Sequence, residues 1–263
     1  MNLVSQLDAS ERERGVIAAS TGNHGQSVAF AARRFGVAAR ICVPERANPV
    51  KLASMRALGA ELIEHGADFD EARERCEELA AEHGYRYIHS GNEPLLIAGV
   101  GTGTLELVED VPDVDAILVP IGGGSGAAGA CVVAKATRPG IEVIGVQSEA
   151  APAAHEAWRT GEPAAATTAT VAEGLATRVS FELPQRIMSD LLDDFVLVSE
   201  NEIRRAIVLM LEHTRNVAEH AGAAPLAAAL KLRDRLGGRR VALVLSGGNI
   251  SPAQLADVLG ARR

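Results

Sequence analysis

Short apolar runs alternate along this chain with stretches of helical periodicity. Residues 15–20 (GVIAAS) read as a strand that opens into a polar loop over 21–25. Val28, Ala31, Ala32 and Phe35 then fall at i, i+3, i+4 and i+7, one face of a helix that Gly36 stops. Residues 40–43 (RICV) predict a second strand, closed by Pro44. Pro49 suits the first turn of a helix running to 58, with Gly59 as its stop. A strand over 61–64, a helix over 69–83 and a strand over 85–89 continue the alternation. Residues 116–120 (AILVP) read as a buried strand entering Gly122, Gly123, Gly124, Ser125 and Gly126; a helix follows, then a strand over 142–147. Residues 151–172 are poor in apolar bulk and predict, in part, a loop. After a strand over 194–198, Ser199 and Glu202 form an S-x-x-E capping box for a helix ending near Asn216. A helix over 223–236 stops at Gly237-Gly238, and the last strand, 241–245 (VALVL), enters Ser246-Gly247-Gly248-Asn249. Strands separated by helices predict an α/β fold of open parallel sheets covered by helices on both faces.

Composition narrows the class. At 263 residues the chain suits one large α/β domain or two lobes, and 47% hydrophobic with 23% charged residues describes a folded protein. The balance of 26 basic against 34 acidic residues, net −8, argues against a nucleic-acid partner, as do aromatics at only 3%. No apolar run reaches the ~18 to 20 residues that span a bilayer, and the amino terminus has no signal-peptide pattern, so a cytoplasmic protein with no membrane partner is expected. Cys42, Cys76 and Cys131 are scattered without metal-type spacing and predict buried free thiols; no metal site is expected. Lys51, Lys135 and Lys231 are the only lysines among the 26 basic residues, each expected to be a solvated surface amine.

Ligands of open α/β sheets bind beyond the carboxyl ends of strands, where three polar, glycine-bearing loops are predicted: 20–25, 122–126 and 246–249. The second has the clearest physical logic. Consecutive glycines let backbone N–H groups approach an anion, and the following helix adds the positive end of its dipole, so a phosphate is the natural guest. The same stretch, from Gly124 to Gly129, also matches G-x-G-x-x-G, and Glu149 lies at the end of the next strand where a dinucleotide enzyme holds a ribose. Taken alone, this loop leaves a Rossmann-type dinucleotide-binding protein open.

The three loops together resemble the threonine/serine dehydratases of the fold-type II pyridoxal-phosphate enzymes. S-T-G-N-H-G-Q from Ser20 is similar to that family's S-S-G-N-H-A-Q loop, V-P-I-G-G-G-S-G from Val119 to its phosphate cup, and L-S-G-G-N-I from Leu245 to its carboxy-terminal signature. M-R-A-L-G-A-E-L from Met55, A-G-V-G-T from Ala98 and V-A-E-H-A-G-A-A from Val217 are lesser matches, so the resemblance covers nearly the whole chain. It implies a two-lobed, tryptophan synthase β-like architecture, with residues 15–90 as a small lobe and residues 1–14 with 91–263 as a large one. It implies pyridoxal 5′-phosphate as cofactor, held by Asn23 at the 3′-oxygen, by Gly122, Gly123, Gly124 and Ser125 at the phosphate, and by Ser246 at the ring nitrogen. Ser20, Thr21, Gly22 and His24 would hold the carboxylate of an amino-acid substrate. The ring of His24 is read as satisfied by a backbone bond rather than as a general base. The implied reaction is β-elimination from threonine or serine, giving a 2-oxo acid and ammonia, in a homodimer. Histidine rather than threonine at position 24 favours dehydratase over sulfhydrylase chemistry.

One departure matters. The family's Schiff-base lysine lies in an S-F-K-type motif ahead of the segment similar to residues 1–8, and no lysine of this chain matches it. No catalytic residue is therefore assigned, and the 263 residues alone are expected to be inactive. Gln147 stands where some relatives hold a cation through a carboxylate. Two accounts remain open: a shortened form of an active lyase, or a non-catalytic relative that keeps a cofactor-shaped pocket.

Overall fold

The computed structural model describes residues 1–260, and the chain divides into two compact units, Met1–Gly99 and a second that starts at Val100. In the first, α1 (Asn2–Ser5) and α2 (Ala9–Arg14) precede β1 (Val16–Ala19), which leads to α3 (Asn23–Phe35). Then come β2 (Ala39–Val43), α4 (Pro49–Ala57), β3 (Glu61–Glu64), α5 (Phe69–His83) and β4 (Arg86–Tyr87). The strands form one parallel sheet in the order β3-β2-β1-β4. β1 is buried at all four positions, which is why its sequence shows no polar alternation. Local signals act as the sequence predicts: Gly36 ends α3 in the left-handed region at φ 68°, and Asn48 caps α4 by accepting from the Val50 N–H ahead of Pro49. Leu3, Val4 and Leu7 are buried in the same core as Val16, Ile41 and Met55, which ties the first residues to this unit by packing.

α6 (Pro94–Asp110) leads into the second unit, followed by β5 (Ala116–Pro120), α7 (Ser125–Thr137), β6 (Glu142–Ser148) and α8 (Ala153–Thr160). A single 3-10 turn at Glu173–Leu175 precedes α9 (Glu182–Leu191), β7 (Asp194–Val198), α10 (Glu200–Thr214), α11 (His220–Lys231), α12 (Arg233–Leu236), β8 (Val241–Leu243) and α13 (Pro252–Gly260). The sheet is again parallel, in the order β7-β6-β5-β8. Alternate residues of β5 feed opposite faces: Ala116 and Leu118 join one core, Ile117 and Val119 the other. Both faces are therefore covered, as an α/β fold requires.

The segment 151–172, expected to be loop in part, contains α8: Ala153, Ala154 and Ala157 make a buried small-residue face, and Trp158 stacks tilted on Phe195 with ring centroids 5.9 Å apart. One expectation is corrected here. The helix expected over 223–236 starts earlier, at His220, and breaks at Leu232 into two pieces.

Candidate active site

In the first unit, β1 delivers the chain to Ser20, which is 3% exposed and turns its hydroxyl inward. Its Oγ accepts the N–H groups of Gly22 (3.0 Å) and Gly25 (2.8 Å), folding the loop back onto itself as α3 begins. Gly25 must lack a side chain, since a β-carbon there would stand 3.0 Å from Ile41 Cγ2 and would overlap Met55. Thr21, Asn23 and His24 are half-buried at the mouth of this turn. His24 Nε2 donates to the Ile88 carbonyl at 3.0 Å, the backbone bond expected for it. Burial depresses its pKa, and that bond pushes back only in part. Beside it, His89 Nδ1 accepts the N–H groups of Gly91 and Asn92, both at 2.9 Å. Burial, and then the neighbouring His24, bring His89 down to about 4.

Lys51 is not the surface amine expected. It is 4% exposed, and a β-carbon placed on Gly22 would lie 2.7 Å from its Cδ and 3.0 Å from its Nζ. The reason is its place on α4, where it shares the buried face with Leu52 and Met55, one turn on. That spacing is legible in the sequence; residue type alone hides it. The other two lysines sit in ion pairs. Lys135 Nζ meets Asp193 Oδ2 at 2.6 Å and the Ile141 carbonyl at 2.7 Å, leaving its side chain only 17% exposed. Lys231, half-exposed, reaches Glu149 at 3.4 Å and the Leu197 carbonyl at 3.0 Å. Glu149 thus has an ammonium partner where a dinucleotide enzyme would present it to a ribose.

In the second unit, the two remaining loops leave the carboxyl ends of neighbouring strands, since β5 pairs with β8 in parallel with Leu118 opposite Leu243. Gly124 takes φ 86°, a left-handed conformation that favours glycine, and starts α7 without any side-chain cap. Among the described residues, no acceptor meets the backbone N–H groups of Gly122, Gly123, Gly124, Ser125 or Gly126. The wall behind these glycines is closely fitted. A β-carbon on Gly122 would overlap the Gly174 carbonyl, one on Gly123 would lie 2.6 Å from Phe181 Cδ2, and one on Gly124 would lie 2.9 Å from Met188 Cε. Thr177 Oγ1 donates to the Gly122 carbonyl at 3.3 Å. Sequence reasoning missed Gly174 and Phe181, for which no motif signals contact with the cup.

The third loop is docked on the start of α11. Glu219 N–H donates to the Gly247 carbonyl at 3.1 Å, and Gly222 and Gly248 leave room for it, a β-carbon on either falling 2.5 Å from Gly247 O and 2.6 Å from Val217 O respectively. Ser246 is exposed, its hydroxyl without a hydrogen-bond partner among the described residues. Gln147 is fully buried, its Oε1 accepting the His155 N–H at 3.0 Å while Nε2 has no hydrogen-bond partner among the described residues. All three cysteines are free and buried. Burial pushes the Cys131 thiol up to about 12, and a hydrogen bond with Cys42 together with burial raises Cys76 further, so neither is a nucleophile.

A row of N–H groups that meets no acceptor among the described residues, at an uncapped helix start, has the donor set that suits an anion such as the phosphate of a pyridoxal cofactor. Two parallel α/β sheets, one of them carrying such a row of donors, are what a phosphate-anchored cofactor enzyme requires. The family model for pyridoxal-phosphate dependent enzymes matches residues 1–247, and the chain belongs to that family. It is 42% identical over 250 residues to an L-threonine ammonia-lyase of Thermotoga maritima, covering 95% of this chain and 62% of that protein. It is 36% identical over 262 residues to the catabolic L-threonine dehydratase of Escherichia coli K12, covering 98% of this chain and 80% of that one. Among solved structures, the processed threonine deaminase isoform 2 of Solanum lycopersicum superposes with a TM-score of 0.93 at 31% identity, covering 99% of this chain and 77% of the other. A serine racemase from Dictyostelium discoideum gives 0.87 at 33%, covering 95% and 81%. The chain thus spans somewhat less than two thirds of the Thermotoga relative's length.

Proposed function

We propose that this chain is the cofactor- and substrate-binding body of a threonine/serine ammonia-lyase, which takes a β-hydroxy amino acid to a 2-oxo acid and ammonia. The observation that carries the reading is the run of unpartnered N–H groups from Gly122 to Gly126 at the uncapped start of α7. The names of the relatives, threonine ammonia-lyase and threonine dehydratase, support the substrate class. Bound pyridoxal phosphate supplies an electron sink that acidifies the bond between Cα and hydrogen. By the resemblance, the N–H groups of Gly122, Gly123, Gly124 and Ser125 would hold its phosphate, the Asn23 amide would serve its 3′-oxygen, and the Ser246 hydroxyl its ring nitrogen. A neutral hydroxyl there does not enforce protonation of the ring as a carboxylate would, which suits elimination. Ser20 shapes the loop in which Thr21, Gly22 and His24 hold the substrate carboxylate through backbone donors.

In this reading residues 1–263 bind but do not turn over by themselves. Lys135 and Lys231 are engaged in ion pairs, and Lys51 lies in a different setting from the family's S-F-K-type lysine. A homodimeric assembly and a cytoplasmic location belong to the same proposal. The test is to saturate the purified chain with pyridoxal phosphate, add L-threonine and follow 2-oxobutanoate. Cofactor binding with no release above the solution background is expected, and steady turnover would overturn the placement of the chemistry.

A further inference from the structure

We propose that Thr177 is a positioning residue of the glycine cup: its hydroxyl holds the Gly122 carbonyl against the wall and so aims the Gly123 N–H at an entering phosphate. The inference rests on the proposed binding of pyridoxal phosphate at residues 122–126. Thr177 is 9% exposed, and its Oγ1 donates to the Gly122 carbonyl at 3.3 Å. The peptide between Gly122 and Gly123 is trans, so its N–H points opposite to its carbonyl. With the oxygen turned to Thr177, the Gly123 N–H faces away from the wall, where no acceptor among the described residues meets it.

Such a pin is needed because the peptide lies between two glycines. Neither carries a side chain to oppose rotation of the peptide plane. A half-turn would present the Gly122 oxygen to the phosphate and remove a donor, exchanging attraction for repulsion. Thr177 itself is fixed from both sides. Upstream, its N–H donates to the Leu175 carbonyl at 3.2 Å, at the end of the 3-10 turn whose Gly174 is wedged between Gly122 and Ala221. Downstream, the Ala166 N–H donates to the Arg178 carbonyl at 2.9 Å and the Ser180 N–H to the Ala164 carbonyl at 3.1 Å, around an antiparallel bridge between Ala165 and Val179. A hydroxyl set in this way orients one donor of the cup without touching the ligand. It acts on the phosphate, and not on the ring or the aldehyde.

The test is calorimetric titration of the chain with pyridoxal phosphate and with pyridoxal. Thr177→Val keeps the branched shape and removes the hydroxyl. It should weaken pyridoxal phosphate about threefold to tenfold, the worth of one hydrogen bond, and leave pyridoxal within about twofold. Thr177→Ser, which keeps the hydroxyl, should restore most of the native ratio between the two. Should the Val variant fail to fold by circular dichroism, Thr177→Ala should narrow the ratio in the same direction. A ratio unchanged in the folded Val or Ala chain, or a loss shared equally by both probes, overturns the inference and leaves the lyase reading standing. A native chain that binds the two probes equally overturns the phosphate reading and, with it, the role of Thr177.

Discussion

Phe181 closes against Gly123 so tightly that a β-carbon on the glycine would lie 2.6 Å from the ring's Cδ2. In the proposed reading the glycines of the cup are thus required twice, once by the anion they would face and once by the chain behind them. Gly123→Ala should lose about 1–3 kcal/mol of stability through overpacking, read as a lower denaturant midpoint. Combining it with Phe181→Ala should recover part of that loss. A double-mutant cycle with no coupling would contradict the contact.

Gly126 separates charge from packing. A β-carbon there would meet nothing nearer than Val119 Cγ1 at 4.0 Å, so Gly126→Asp introduces an anion without a clash. An acidic residue in the first turn favours the helix but repels a phosphate at the same N–H groups. The variant should be as stable as the native chain or more so, and should bind pyridoxal phosphate at least about tenfold more weakly, with Gly126→Asn between the two. Undiminished binding in Gly126→Asp would place the phosphate elsewhere.

Ser199 and Glu202 form the reciprocal cap of α10, Ser199 N–H donating to the Glu202 carboxylate at 2.7 Å while Ser199 Oγ accepts the Glu202 N–H at 3.3 Å. Burial pushes the Glu202 carboxyl up, but the Ser199 N–H and hydroxyl, together with the Lys231 ammonium, outweigh it and hold it below the usual carboxylate range. Ser199→Ala should lower stability by about 1 kcal/mol and let Glu202 titrate higher, seen in a carbon-detected NMR titration. A Glu202 that titrates unchanged would show the cap to be idle.

His89 sets an acid limit on the first unit. Its pKa is brought to about 4 in the fold, against roughly 6.5 for an unfolded chain. As pH falls below roughly 6.5 the unfolded chain takes the proton first, so stability is lost progressively down to about 4 and is fully present above roughly 6.5. Urea unfolding of the native chain should weaken from pH 7 to pH 5, and His89→Gln should flatten that slope. Parallel curves for the two proteins would refute the assignment.

Much of the fold is legible in the sequence because strands buried on both faces and helices with one apolar face write different periods. β3, α5, β5 and β7 run over the residues their patterns predict, and the S-x-x-E motif marks the start of α10. α8 escapes because its buried face is alanine rather than the bulky apolar residues that mark a core helix. Of the candidate site, the glycine runs are legible because few other sequences leave so many N–H groups free to face an anion. Phe181 and Gly174 are not, since contacts made at long separation leave no local mark. Lys51 is concealed by its residue type: a lysine reads as solvent-facing until its spacing with Leu52 and Met55 is weighed against it.

The account stands on a phosphate held by the backbone of residues 122–126, so comparing pyridoxal phosphate with pyridoxal by calorimetric titration tests it most directly. Pyridoxal keeps the ring, the aldehyde and the 3′-oxygen and loses only the phosphate. The phosphorylated form should bind at least about a hundredfold more tightly, several charge-assisted bonds being worth that much together. Equal affinity for the two, or tight binding of a nicotinamide dinucleotide with no response to pyridoxal phosphate, would contradict it.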